Sequence, residues 1–131
     1  MNKEKAKMWA AVARAVGWME VHIQEDKNGE WHPKGINCME SVDNCTYILK
    51  PSHFIPELHE HFMWEYFKSN EHKVHFNFVP GINIVSIDNR PELMDTDRLT
   101  AMGKVIFLEV LLQEKITEIK ELYYDQHNKK D

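Results

Sequence analysis

Glycine and cysteine are scarce in this chain, with five and two among 131 residues. A glycine-rich phosphate loop is absent, which excludes the P-loop and dinucleotide-binding classes. Cys38 and Cys45 lie in one expected loop and lack the close spacing of a zinc knuckle. The opening MNKEKAKMWAAVARAV is interrupted by Arg14 and reads as an amphipathic helix, so no secretory leader is expected. Both thiols are therefore expected to be free, in a reducing compartment. No apolar run reaches about 18 residues, which excludes a helical membrane span. No GxSxG occurs, and neither cysteine has a context that ties it to a general base. Positive charge is also in deficit. Sixteen Lys and Arg against 21 Asp and Glu give a net charge of -5. That argues against duplex nucleic acid as a partner, yet is compatible with a local basic pocket for a small anion.

What is present is ordinary globular material, 43% hydrophobic and 28% charged, in a length that fits one domain over 1–131. Ala6, Trp9, Ala10, Val12, Ala13 and Val16 form a helical stripe, and Gly17 stands where a left-handed residue would end the helix. MEVHIQ, residues 19–24, alternates apolar and polar as a half-buried strand does. Asn28-Gly29 predicts a tight turn, and Glu30-Trp31-His32 a returning strand cut short by Pro33. Residues 34–55 have no clear period, apart from a short strand expected at Thr46 to Leu49. Pro56 opens a second helix that buries Leu58, Phe62, Met63, Tyr66 and Phe67 and ends at Ser69-Asn70. Lys73 to Val79 and Ile82 to Ile87 read as a hairpin about Pro80-Gly81, with one aromatic face. Thr96 or Asp97 caps a long last helix, Arg98 to Asp125, and a tail over 126–131 is expected to fray. Its stripe is Leu99, Met102, Ile106, Val110, Gln113 and Ile116. The order α-β-β-α-β-β-α predicts an α+β layered sandwich, helices packed on an antiparallel sheet of four or five strands.

The candidate chemistry is sparse. His59 and His61 point about 200° apart on a helix and cannot chelate one ion together. His72 and His75 face opposite sides of a strand entry, so neither a metal nor another cofactor is expected. The carboxylate pairs Glu57/Glu60 and Asp95/Asp97 read as helix caps. More suggestive are large rings and cations near element ends. Trp18 follows a helix end, Trp31 follows a turn, and Arg14, Arg90, Arg98 and Lys104 stand at predicted helix ends or loops. Rings that stack a base, beside cations that hold phosphate, are the parts of a nucleotide pocket. These six are the candidate ligand-binding residues, with Trp31 facing the ligand and Arg14 nearest to hold phosphate. Trp18 is expected to be mainly structural. The competing reading is that the tryptophans fill a core and the cations snorkel.

VARAVGW, residues 12–18, followed by NGEWHPKG, residues 28–35, resembles the small phage-encoded ABA-sandwich proteins. The matching positions are Ala13, Gly17 and Trp18, then Trp31, Pro33 and Gly35. The final helix DRLTAMGKVIFLEVLLQ is similar in character to the closing helix of that family, whereas KPSHFIPELHEHFMWEYF keeps little of its middle segment. The resemblance implies an anti-defence sponge in the host cytoplasm: a non-enzymatic homo-oligomer that sequesters cyclic ADP-ribose-like or cyclic oligonucleotide signals. A module that inhibits a host defence protein, with tryptophans as interface anchors, is the alternative. A small enzyme comes third.

Overall fold

The computed structural model describes residues 1–37 and 50–128, without the side chains of 125–128. Among the described residues, three helices and two three-stranded antiparallel sheets make an α+β fold in the expected order, with two further short strands. Cys38, Cys45 and the strand expected at Thr46 to Leu49 lie outside the described residues.

Helix α1, Lys3–Ala15, starts where Asn2 accepts the Lys5 backbone N–H at 2.7 Å. It ends at a left-handed glycine: Gly17 has φ +103°, Trp18 N–H bonds Ala13 O, and Gly17 N–H bonds Arg14 O. That pair of bonds is a Schellman cap, and it turns Trp18 back under the helix. Ala6, Trp9, Ala10, Val12 and Ala13 are all buried.

Strands β1 (Met19–Glu25), β2 (Trp31–Ile36) and β3 (Ser52–His53) form the first sheet. The register shifts between Met19 and His22, and Glu20 has φ 52°, so the expected inward Met19 is instead exposed. The turn between β1 and β2 is organised by Asp26, whose Oδ1 accepts the N–H groups of Asn28 and Glu30. Pro33 does not end β2. Its carbonyl accepts the Phe54 N–H at 2.9 Å, beyond the end of the two-residue β3. Its missing N–H therefore falls where no strand partner needs it.

Helix α2, Pro56–Ser69, breaks at His59, whose φ of -116° is non-helical. His59 Nδ1 reaches back to accept the N–H of the N-cap residue Ile55 at 2.9 Å, as the inner residue of a capping box does, while Ile55 itself offers no side-chain cap. The break turns Leu58 out to solvent, while Phe62, Met63 and Phe67 are buried as expected.

Strands β4 (Val74–Val79), β5 (Ile82–Ile87) and β6 (Leu93–Asp95) form the second sheet, with Gly81 at φ +85° in the tight turn. The sheet is thus separate from the first, not continuous with it. Helix α3, Arg98–Asn128, is capped by Asp97, whose Oδ2 accepts the Thr100 N–H at 3.0 Å. α1 packs on β1 and β2, α3 packs on β5 and β6, and the two helices pack on each other. The core lies along this seam, where Trp9, Val12, Phe54, Met63, Val85, Ile87, Met102 and Ile106 meet. Among the described residues, no helix is long and apolar enough to cross a membrane.

Candidate functional site

The six residues singled out from sequence do not share one cleft. Arg14 donates to Val21 O at 3.1 Å and ties the end of α1 to β1. Trp18 is buried, with its ring edge-on to Phe54, His59 and Phe62. Trp31 is half-buried, and the Lys3 ammonium sits over its ring, 5.0 Å from the centroid. Arg98 pairs with Glu60 and lines a shallow groove with Trp64, Phe76 and Phe78. Lys104 bridges Asp95 and Met94 O, each at 2.9 Å. The four cations are thus held by carboxylates or carbonyls of the fold.

Arg90 has the most consequential partner. It binds both carboxylate oxygens of Glu109, which is buried in α3 and otherwise bonded by Gln113. Arg90→Ala leaves a buried carboxylate with one neutral donor. We expect it to lower stability by about 1–3 kcal/mol, the cost of an under-satisfied buried group. Urea denaturation measures this, and a loss under about 0.5 kcal/mol would show that Glu109 reaches water in the variant.

A different set of residues forms a cleft of about 320 Å³ between β2, β3 and the first turns of α2 and α3. Its apolar wall is Trp9, Pro33, Phe54, Ile55 and Pro56, and its polar lining includes Lys5, His32, His53, Glu57, Asp97 and Thr100. Pairing of β2 with β3 brings His32 and His53 together, rings parallel within 1° and centroids 4.6 Å apart. Behind them, Asp26 Oδ2 lies 2.8 Å from His32 Nε2 and fixes the orientation of that ring. The His32 hydrogen bond, followed by the Glu30 and Asn28 backbone N–H groups, holds the Asp26 carboxyl below its ordinary pKa. His53 is also pushed down, by desolvation first and then by the nearby His32 and Lys34. Two helix N-termini, each carrying partial positive charge, open onto the same space. The Asp97 carboxylate is engaged at home, accepting both the N–H and the hydroxyl of Thr100.

Such an arrangement suits an anion. The ring N–H groups of two imidazoles and the Lys5 ammonium line one cleft and can donate to a negative group. Among the described residues, no group of three histidine, cysteine or acidic side chains is placed to hold a metal ion. The sequence reading missed His32, His53 and Asp26. The available signal was the Asx turn, which places His32 back over Asp26. Nothing in the linear sequence links His32 to His53, since that pairing is made by β3 alone.

No protein-family model matches the chain, and no curated protein or solved structure matches it significantly.

Proposed function

We propose that this chain is a non-enzymatic binding protein that sequesters a small nucleotide-derived anion in the cleft at His32 and His53. The supporting observation is the stacked imidazole pair, anchored by Asp26 and facing the first turns of two helices. The volume falls at the small end of ligand sites, which run from about 300 to 1,000 Å³, and suits one nucleotide unit. The ABA-sandwich resemblance supports the same reading and supplies its ligand class, cyclic ADP-ribose-like or cyclic oligonucleotide signals. A cytoplasmic site of action in the host belongs to that reading as well.

The test is titration calorimetry with cyclic ADP-ribose and with cyclic dinucleotides, followed by mass spectrometry of ligand released on heating. A sponge returns its ligand intact, whereas an enzyme returns a product. Binding has a predictable pH dependence. His53 has a depressed pKa in the free protein, and a bound anion favours its charged form, so binding takes up a proton. Affinity should therefore rise as pH falls from about 8 to 6, through the ordinary histidine range. His53→Gln should flatten that profile and weaken binding by about tenfold, the worth of one charge-assisted hydrogen bond. Binding that is unchanged in both His32→Gln and His53→Gln rejects the site. The same shift has the opposite consequence for folding. Stability contributed by neutral His53 is present above about pH 6.5 and is lost as pH falls toward the depressed folded value.

A second reading, a module that inhibits a partner protein, is favoured by the apolar side chains exposed on β4 and the distal half of α3. Under that reading the protein ignores nucleotides and co-purifies with its target.

A further inference from the structure

Strand β4 is one of the two outer strands of the second sheet, and every residue from His75 to Val79 is exposed. Outer strands are ordinarily protected by charged side chains, proline or a covering element. VHFNFV carries none of the first two. Phe76 is 43% exposed, Phe78 65%, Val79 47%, and Ile82, across the turn, 39%. Trp64 of α2 extends the patch, 39% exposed and 5.4 Å from the Phe76 ring.

The backbone of this strand is also available. In an antiparallel pair, residues alternate between bonding their partner and facing away. The two-residue turn makes Val79 and Ile82 a bonded pair, and the Asp88 N–H bonds Lys73 O at 2.8 Å in the same phase. Val74, Phe76 and Phe78 therefore direct their N–H and C=O groups outward, away from β5. Phe78 N–H confirms the phase: it is taken by its neighbour's side chain, Asn77 Oδ1, at 2.9 Å.

We infer that β4 pairs antiparallel with β4 of a second copy across a two-fold axis. The two three-stranded sheets become one six-stranded sheet, and Trp64, Phe76 and Phe78 of both copies are buried against each other. A second copy fits for two reasons. An uncharged strand meets itself without opposing like charges, and an isologous antiparallel contact closes after two chains. Trp64, Phe76 and Phe78 are exposed on one face of this edge and Val79 and Ile82 on the other, so pairing of two copies covers apolar side chains on both faces of the joined sheet. This inference is independent of the ligand reading, since the patch and the His32–His53 cleft share no lining residue.

Sedimentation equilibrium of the whole chain tests it. The wild-type protein should have twice the 15.6 kDa mass of one chain. Phe78→Lys should halve the mass while leaving the circular dichroism spectrum unchanged, because the side chain is exposed in the single chain, and should remove the dependence of the melting temperature on protein concentration. Ile119→Lys, on the apolar stretch of α3 that also faces solvent, should leave the dimer intact. A wild-type monomer at about 100 μM, well above the Kd of a specific dimer, overturns the inference and leaves the edge to a strand of another protein. A dimer that survives Phe78→Lys but not Ile119→Lys overturns it in favour of helix pairing.

Discussion

Trp18→Ala is expected to lower stability by about 3–5 kcal/mol, the usual cost of deleting a packed aromatic side chain. At this chain length the melting temperature should fall on the order of 10–20 °C. Trp18 is only 4% exposed, and three rings pack edge-on against it: His59 at 4.9 Å, Phe54 at 5.2 Å and Phe62 at 5.9 Å. Those neighbours come from the approach to α2 and from α2 itself, so one side chain on the α1 cap joins the two ends of the core. His59 also caps α2, so loss of Trp18 should loosen the first turn of that helix. Trp18→Phe separates packing from polarity. Among the described residues, Trp18 Nε1 is buried without a hydrogen-bond partner, a condition that costs about 1–3 kcal/mol. Phenylalanine removes that orphan donor and keeps much of the ring contact, so its net effect should be under about 1.5 kcal/mol. Chemical denaturation of the two variants checks both values. If Trp18→Phe proves as costly as Trp18→Ala, the indole N–H makes a bond in solution that holds the cap in place.

Much of the fold was legible because local rules and packing agree. The α1 stripe, the Gly17 stop, the Pro80-Gly81 hairpin and the Asp97 cap each follow from residues within a few positions of one another. Misreadings occurred where a distant contact overrode the local rule. Pro33 reads as a strand breaker, yet β3 ends in time to spare its missing N–H. Leu58 reads as buried by period, but His59 leaves the helical conformation to cap the helix and turns Leu58 outward. The aromatic face expected on β4 is present, and Phe76 and Phe78 on it are exposed. Alternation states that a strand has an apolar face, not that its own chain covers that face. The division into two sheets was illegible for the same reason, since period specifies strands and leaves their neighbours unspecified. Strand β6 was hidden in a polar segment, where Leu93 and Met94 are the only apolar residues to mark it.

The cleft was the least legible part. Rings and cations near element ends were sound markers of a pocket chemically, yet the fold uses the cations on itself. Arg90 neutralises Glu109, Lys104 neutralises Asp95, and Arg98 neutralises Glu60. With 21 acidic residues in the chain, a cation near a helix end finds a carboxylate readily. Even at the cleft one cationic partner is taken: Asp26 holds His32, and His53 stacks on that ring with no carboxylate paired to it among the described residues.

Gly103→Ala offers the sharpest test of how the helices meet. Glycine in a helix interior costs about 1 kcal/mol relative to alanine, so the change would stabilise an unobstructed helix. Gly103 is obstructed. A Cβ there would lie 2.5 Å from Cη2, 2.7 Å from Cζ3 and 3.2 Å from Cζ2 of Trp9. These atoms form the far edge of a large, buried ring. The clash should outweigh the propensity gain, leaving a net loss of about 1–3 kcal/mol, as overpacking does. Trp9→Phe deletes part of the benzo ring and with it the obstruction. By itself it should cost about 1–3 kcal/mol for the lost packing. In that background Gly103→Ala should change sign and stabilise by roughly 0.5–1 kcal/mol, because only the helix propensity remains. The four proteins of this cycle, compared by urea denaturation, give the coupling directly. Equal effects of Gly103→Ala in both backgrounds would mean that the Trp9 ring is not what keeps position 103 bare. A change of sign would identify the glycine as the notch in α3 that seats α1, and with it the contact that joins the two sheets.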